Sequence, residues 1–195
     1  YYIGGIIKEQ DKLLLASKES FMRQYNADVR LRNEVLEIDA KNKNVKVVNL
    51  ETGATYTESY DKLLMSPGAS PLKPPIKGID TEGVYTLRTV QDAIKIKDDL
   101  TAKNVKRVVV VGAGFVGMEV AENLAEIGIK PIIVEMQDQI MGNMDFDMAQ
   151  ELENEIRKMA IPLFLGQSVQ EISKADDGRM LVTTSEGKTI YCDMV

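Results

Sequence analysis

Between residues 28 and 65 apolar and polar positions alternate in short runs, the period of half-buried strands. Strands are predicted over Asp28–Leu31, Glu34–Ile38, Asn44–Leu50 and Thr55–Ser59, with a turn at Glu51–Ala54 and a last apolar strand at Tyr60–Met65. Ser17 to Tyr25, ahead of them, has helical spacing with Ser17 as N-cap. The pattern then changes. Val108–Val111 is a continuous apolar run, a helical segment follows, and Ile132-Ile133-Val134 forms a second run ending on Glu135. Residues 146–160 return to helical period, with Met148, Leu152, Ile156 and Met159 on one face, read as core. Further strands are expected at Ile161–Leu165, Val169–Ile172 and Met180–Thr184, the last two as a hairpin around Asp176-Asp177-Gly178, and a final apolar stretch holds Cys192.

Prolines and glycines punctuate this order. Ser66-Pro67-Gly68-Ala69-Ser70-Pro71 stops the strand before it, Pro74-Pro75 holds an extended link, and a helix is predicted from Thr89 to Leu100. The boundary between two domains is placed near residue 85, giving segments 1–85 and 86–195. No internal repeat or low-complexity tract is present. The chain starts at Tyr1 without an initiating Met and stops at Val195 within an apolar run, so it is expected to be an internal fragment.

The junction between the two apolar runs carries the chemistry. Gly112, Gly114 and Gly117 stand at G-x-G-x-x-G spacing, with Ala113, Phe115 and Val116 between them. The first glycine permits a tight turn out of a strand. The second lets the backbone approach a pyrophosphate, and the third allows close helix–strand packing. Phosphates are favoured there because a helix N-terminus offers unpaired N–H groups and a positive dipole end. Glu135 lies 23 positions after Gly112, at the end of the second strand, where an acid accepts from a ribose 2′-hydroxyl. A carboxylate repels a 2′-phosphate, and no Arg follows in Met136-Gln137-Asp138, so NAD(H) is expected in preference to NADP(H). The same turn can also serve a doubly wound unit purely structurally.

Composition removes other chemistries. The chain has 195 residues, 44% hydrophobic and 28% charged, with a net charge of −6. No broad cationic field is available, so nucleic acid is not an expected partner. The apolar runs fall short of the roughly 20 residues of a bilayer helix, so no membrane partner is expected and a cytoplasmic location is inferred. With one cysteine and no histidine there is no disulfide framework, no Cys/His metal site and no Ser-His-Asp triad. No metal is expected, and Cys192 is read as a packing residue.

Three stretches resemble the flavin-dependent pyridine nucleotide-disulfide oxidoreductases, most closely the branch with coenzyme A-disulfide reductases, NADH oxidases and NADH peroxidases. They are Tyr1-Tyr2-Ile3-Gly4-Gly5, the run from Tyr60 through Ser66-Pro67-Gly68 to Pro71, and V-V-V-V-G-A-G-F-V-G-M-E-V-A over 108–121. The resemblance implies an α/β, Rossmann-like, two-domain FAD/NAD(P)-binding fold, a three-layer ββα arrangement with a parallel sheet plus an antiparallel meander. It implies a partial FAD domain over 1–85 and an NAD(H) domain over 86–195. Ser66, Pro67 and Gly68 would lie beside FAD. Glu119, Phe115 and Val116 would lie near the nicotinamide and flavin, although Glu119 also reads as a complement to the helix N-terminus. The implied enzyme is a homodimer when full length, passing hydride from NADH through FAD to a redox cysteine that reduces a small-molecule disulfide, peroxide or oxygen. No catalytic residue is assigned within the chain, because that cysteine is expected upstream of Tyr1. Two other readings stand beside it: a flavin-dependent NADH reductase of a ferredoxin, rubredoxin or nitrite centre, and a non-catalytic NAD-binding regulatory module.

Overall fold

The computed structural model describes residues 1–195, and their contacts form two compact units: Tyr1–Leu13 together with Ser70–Val195, and Leu14–Ala69. The smaller unit begins with α1 (Lys18–Tyr25), whose N-cap Ser17 accepts from the Ser20 amide at 3.1 Å. Strands β1 (Asn33–Asp39), β2 (Asn44–Asn49) and β3 (Thr55–Ser59) then make an antiparallel meander in sequence order. Val45 and Val47 of the central strand are its buried aliphatics.

Two expected strands in this unit do not form. Residues 28–30 have no regular structure and Leu31 lies in a turn, and Tyr60–Met65 is irregular, with Leu64 89% exposed. Apolar composition alone cannot make a strand, because the backbone N–H and C=O groups need a neighbouring ladder. Apart from the Tyr60 amide, which donates to Lys43 O at 2.9 Å, neither segment has one.

The larger unit contains α2 (Val90–Ala102), β4 (Arg107–Val111), α3 (Phe115–Glu126), β5 (Lys130–Val134), α4 (Phe146–Lys158) and β6 (Leu163–Phe164). Strands β4, β5 and β6 form a parallel sheet with Val109 opposite Ile132 and Val111 opposite Val134. Being covered on both faces, β4 and β5 are apolar throughout their centres. Val108, Val110 and Ile133 face helix residues that include Ile96, Leu100, Ala121, Leu124 and Ile156. Val109, Ile132 and Val134 face the other way, against Val169, Ile172, Val182, Ile190 and Cys192. Those residues belong to β7 (Val169–Lys174), β8 (Met180–Thr184) and β9 (Thr189–Cys192), an antiparallel sheet in sequence order. The result is three layers: antiparallel sheet, parallel sheet and helices. After β9 the chain crosses to the free edge of β4, where Met194 O accepts from the Val109 amide at 3.0 Å.

The buried face of α4 differs from the expected one. Ala149, Glu153 and Ile156 point inward, while Met148 and Met159 are 57% and 45% exposed. Small Ala149 lets the helix backbone approach the core where Met148 would hold it off, and Glu153 enters with Arg157 paired to it at 3.3 Å. A hydrophobicity pattern scores Glu153 as surface, so the rotation was invisible to it.

The start of α2 rests on a reciprocal cap. Thr89 Oγ1 accepts from the Asp92 amide at 3.2 Å, and Asp92 Oδ2 accepts from the Thr89 amide at 2.7 Å. Hydrogen bonds to the carboxylate, from the Thr89 amide first and then from the Thr89 side chain and the Arg88 amide, hold the Asp92 carboxyl below the ordinary aspartate range. Its contribution is therefore complete above that range and is lost as pH falls through the lowered value. Asp92→Ala is expected to cost about 0.5–1.5 kcal/mol in urea unfolding near neutral pH, the net worth of one hydrogen bond, with a smaller penalty in strong acid; equal penalties at both pH values would contradict the carboxylate's part in the cap.

Candidate functional site

The glycine turn joins β4 to α3. Gly112 continues the parallel ladder, its amide donating to Val134 O at 2.8 Å, and then turns the chain with φ of +100°. Gly117 returns against it: a Cβ there would stand 2.0 Å from Gly112 O. Gly114 differs from both. It is the N-cap of α3, no side chain caps the helix, and a Cβ on it would meet nothing within 4 Å. The leading N–H groups of α3 thus have no side-chain cap, on a helix end with positive partial charge.

Ala113, completely buried, is held between two elements. Its amide donates to Glu135 Oε2 at 2.7 Å, and its carbonyl accepts from the Met141 amide at 2.8 Å. The other Glu135 oxygen accepts from the Gln137 amide at 2.8 Å. Each carboxylate oxygen keeps a lone pair for a further donor, so Glu135 can tie the turn down and still accept a hydroxyl. That tie was not part of the expectation drawn from its spacing.

Phe115 and Val116 are 59% and 58% exposed, beside Tyr1, Ile3, Leu87 and Val120 in a mainly apolar pocket of about 360 Å³. Its polar members are Glu119, in the second turn of α3, and Asn123 one turn further. Asn123 donates through Nδ2 to Glu119 O at 2.8 Å and packs Oδ1 against Gly4, where a Cβ would come within 2.3 Å. Tyr2 lies under Lys97, with Nζ 3.9 Å from the ring centroid. The opening Tyr1–Gly5 segment is thereby pinned to α2 and α3. Asn123 was missed from sequence; its four-residue offset from Glu119 was the available signal. Ser66, Pro67 and Gly68 belong to the smaller unit, where all three are exposed and Gly68 has φ of +72°.

Cys192 is 1% exposed on β9, and burial pushes its thiol up to about 11. Near neutral pH it is a protonated packing group without the thiolate that redox chemistry needs. The residues present offer uncapped helix amides, a carboxylate with free lone pairs and a mainly apolar pocket. They contain no cluster of His, Cys, Asp and Glu suited to a metal ion.

The pyridine nucleotide-disulphide oxidoreductase family matches residues 4–195. An NADH oxidase of Enterococcus faecalis is 35% identical over the whole chain, which spans 43% of that protein. A coenzyme A disulfide reductase of Staphylococcus aureus is 33% identical over the same 195 residues, again 43% of its length. The water-forming NADH oxidase of Lactobacillus brevis, solved bound to NADH, superposes with a TM-score of 0.88 at 31% identity, covering 99% of this chain and 42% of that one.

Two outcomes test this geometry. Gly117→Ala is expected to lose about 1–3 kcal/mol of unfolding free energy by overpacking the turn, whereas Gly114→Ala stays within about 1 kcal/mol; equal losses would contradict the contact at Gly117. Cys192 is expected to resist an aromatic disulfide reagent at pH 8 until denaturant is added, when one thiol per chain should react; rapid labelling of the folded protein would refute its burial.

Proposed function

Because the chain belongs to the pyridine nucleotide-disulphide oxidoreductase family, we propose that it forms the NAD(H)-binding part, and a portion of the FAD-binding part, of an enzyme moving reducing equivalents from NADH through FAD to a small-molecule acceptor. The supporting observation is the open Gly114 cradle over the uncapped start of α3, with Glu135 at the adjoining strand end. No atom stands within 4 Å of where a Cβ on Gly114 would lie, and the acidic side chain of Glu135 ends the adjoining strand.

The residues divide the work by position. Amides at the start of α3 receive the pyrophosphate. Glu135 accepts from the adenosine ribose and disfavours a 2′-phosphate, which makes NADH the preferred donor. Phe115 and Val116 shield one side of the ring pocket from water, and Glu119 supplies its acidic edge. Ser66, Pro67 and Gly68 are assigned to the flavin side, with residues 1–85 as the flavin-domain portion and 86–195 as the NAD domain. When bound, the nicotinamide and flavin supply hydride transfer, and the protein supplies their orientation.

Cys192 is too buried to serve as the redox thiol, so a thiol that reduces coenzyme A disulfide, peroxide or oxygen would belong to a segment outside these 195 residues. The same burial keeps a second reading in play, a flavin reductase that hands electrons to a protein redox centre without any thiol. In the full-length protein, expected to be a homodimer, anaerobic NADH should bleach bound FAD. Prior alkylation of reduced protein should then abolish turnover with coenzyme A disulfide. Bleaching with no thiol requirement would select the second reading, and absence of both FAD and NADH binding would overturn the proposal.

Cofactor choice is tested separately. Glu135→Ala should weaken NADH by roughly 1–2 kcal/mol, the loss of a charge-assisted hydrogen bond, while narrowing the gap to NADPH. An NADH/NADPH ratio identical to the parent's would remove Glu135 as the discriminating residue.

A further inference from the structure

Met141 is a bulky residue in a place where bulky residues are uncommon. Its φ is +50° and it is 6% exposed. A non-glycine residue in the left-handed region is held there by its surroundings, and such residues cluster where backbone geometry is used. The surroundings are visible. Ile140 and Met141 are anchored in the core, and Met141 O accepts from the Met144 amide at 2.7 Å. Gln139 Nε2 donates to Met144 O at 3.0 Å, closing the loop.

The contorted backbone at Met141 directs its amide outward from this loop, where it donates to Ala113 O in the glycine turn. All peptide bonds are trans, so within the planar Ala113–Gly114 peptide the N–H of Gly114 points opposite to that carbonyl. Fixing Ala113 O toward the buried loop therefore aims the Gly114 N–H to the open side of the turn. The Ala113 amide is already consumed by Glu135, and the Gly112 amide by Val134 O. Gly114 is thus the first turn amide left for a ligand, and its direction depends on the Met141 backbone.

We propose that the Gln137–Met144 loop is a clamp that presets the Gly114 amide for a dinucleotide pyrophosphate, with Met141 as its positioning residue through backbone conformation. This rests on the dinucleotide reading above and deepens it. The loop also carries the Gln137 amide that holds Glu135 Oε1. One segment therefore sets both the phosphate donor and the ribose acceptor.

The test compares Met141→Gly with Met141→Ala in the full-length protein, reading the NADH Kd by fluorescence titration and folding by thermal melt. Both variants delete the same buried side chain, but only glycine is at ease at positive φ. The clamp requires the glycine variant to bind NADH within about twofold of the parent, and the alanine variant to bind roughly five- to tenfold more weakly, the worth of one hydrogen bond. A pure packing role gives equal losses or a larger loss for glycine, and either result overturns the clamp, as does parental affinity in both. If neither variant folds, Gln139→Ala, which removes only the tie to Met144 O, decides: weaker NADH binding supports the clamp and an unchanged Kd overturns it. A parent that fails to bind NADH overturns the dinucleotide reading itself and the clamp with it.

Discussion

The near-contact between Gly112 O and the Cα of Gly117 is the constraint on which the rest of this chain turns. It brings the start of α3 back over the end of β4, and any side chain at residue 117 would push the helix outward. Once that approach is set, Val110 lies under the helix, Ala121 and Leu124 reach the core, and the helix end is held above the sheet. The turn's polar groups are then allotted within a few residues. Gly112 and Ala113 spend their amides on Val134 and Glu135, leaving later amides to solvent or ligand. A strand, a helix and a loop are all fastened at one tripeptide.

That fastening gains rigidity from the layers around it. β4 and β5 are buried on both faces, by helices on one side and by the β7–β9 sheet on the other. Interiors of this density do not deform continuously. A turn mounted on such a platform keeps its geometry before any ligand arrives, which lowers the ordering cost of binding. The smaller unit contrasts with this, since few aliphatics are buried in its meander and many line its surface.

How much could be read in advance follows from where the determinants lie. The βαβ unit was legible because it is local: the valine run, three glycines, a helix and an acid within one short stretch. The Ser17 cap was legible for the same reason, since a cap is settled within four residues. Tyr60–Met65 misled because strand formation depends on a partner that its own residues do not describe. The face of α4 misled because Ala149 and Glu153 are inward for reasons of fit and pairing. The roles of Met141 and Asn123 were hidden for a third reason. Met141 acts through a backbone angle, and Asn123 acts through a contact with Gly4 more than a hundred positions away.

The stitching of residues 193–195 onto β4 has a consequence for the order of folding. Asp193 Oδ2 receives the Lys106 and Arg107 amides at 2.8 Å, contacts that span 87 and 86 residues, and Val195 O then receives the Tyr85 amide. On a growing chain, β4 can pair with β5 early, yet its other edge stays bare until residues 193–195 have been synthesised. Through that interval the most hydrophobic strand of the unit offers unpaired backbone to any passing strand, the situation that favours misassembly. Closing so distant a contact is also slow compared with forming the local βαβ turn. The fold thus places the glycine turn among its early-forming parts and makes the second edge of β4 wait for residues 193–195.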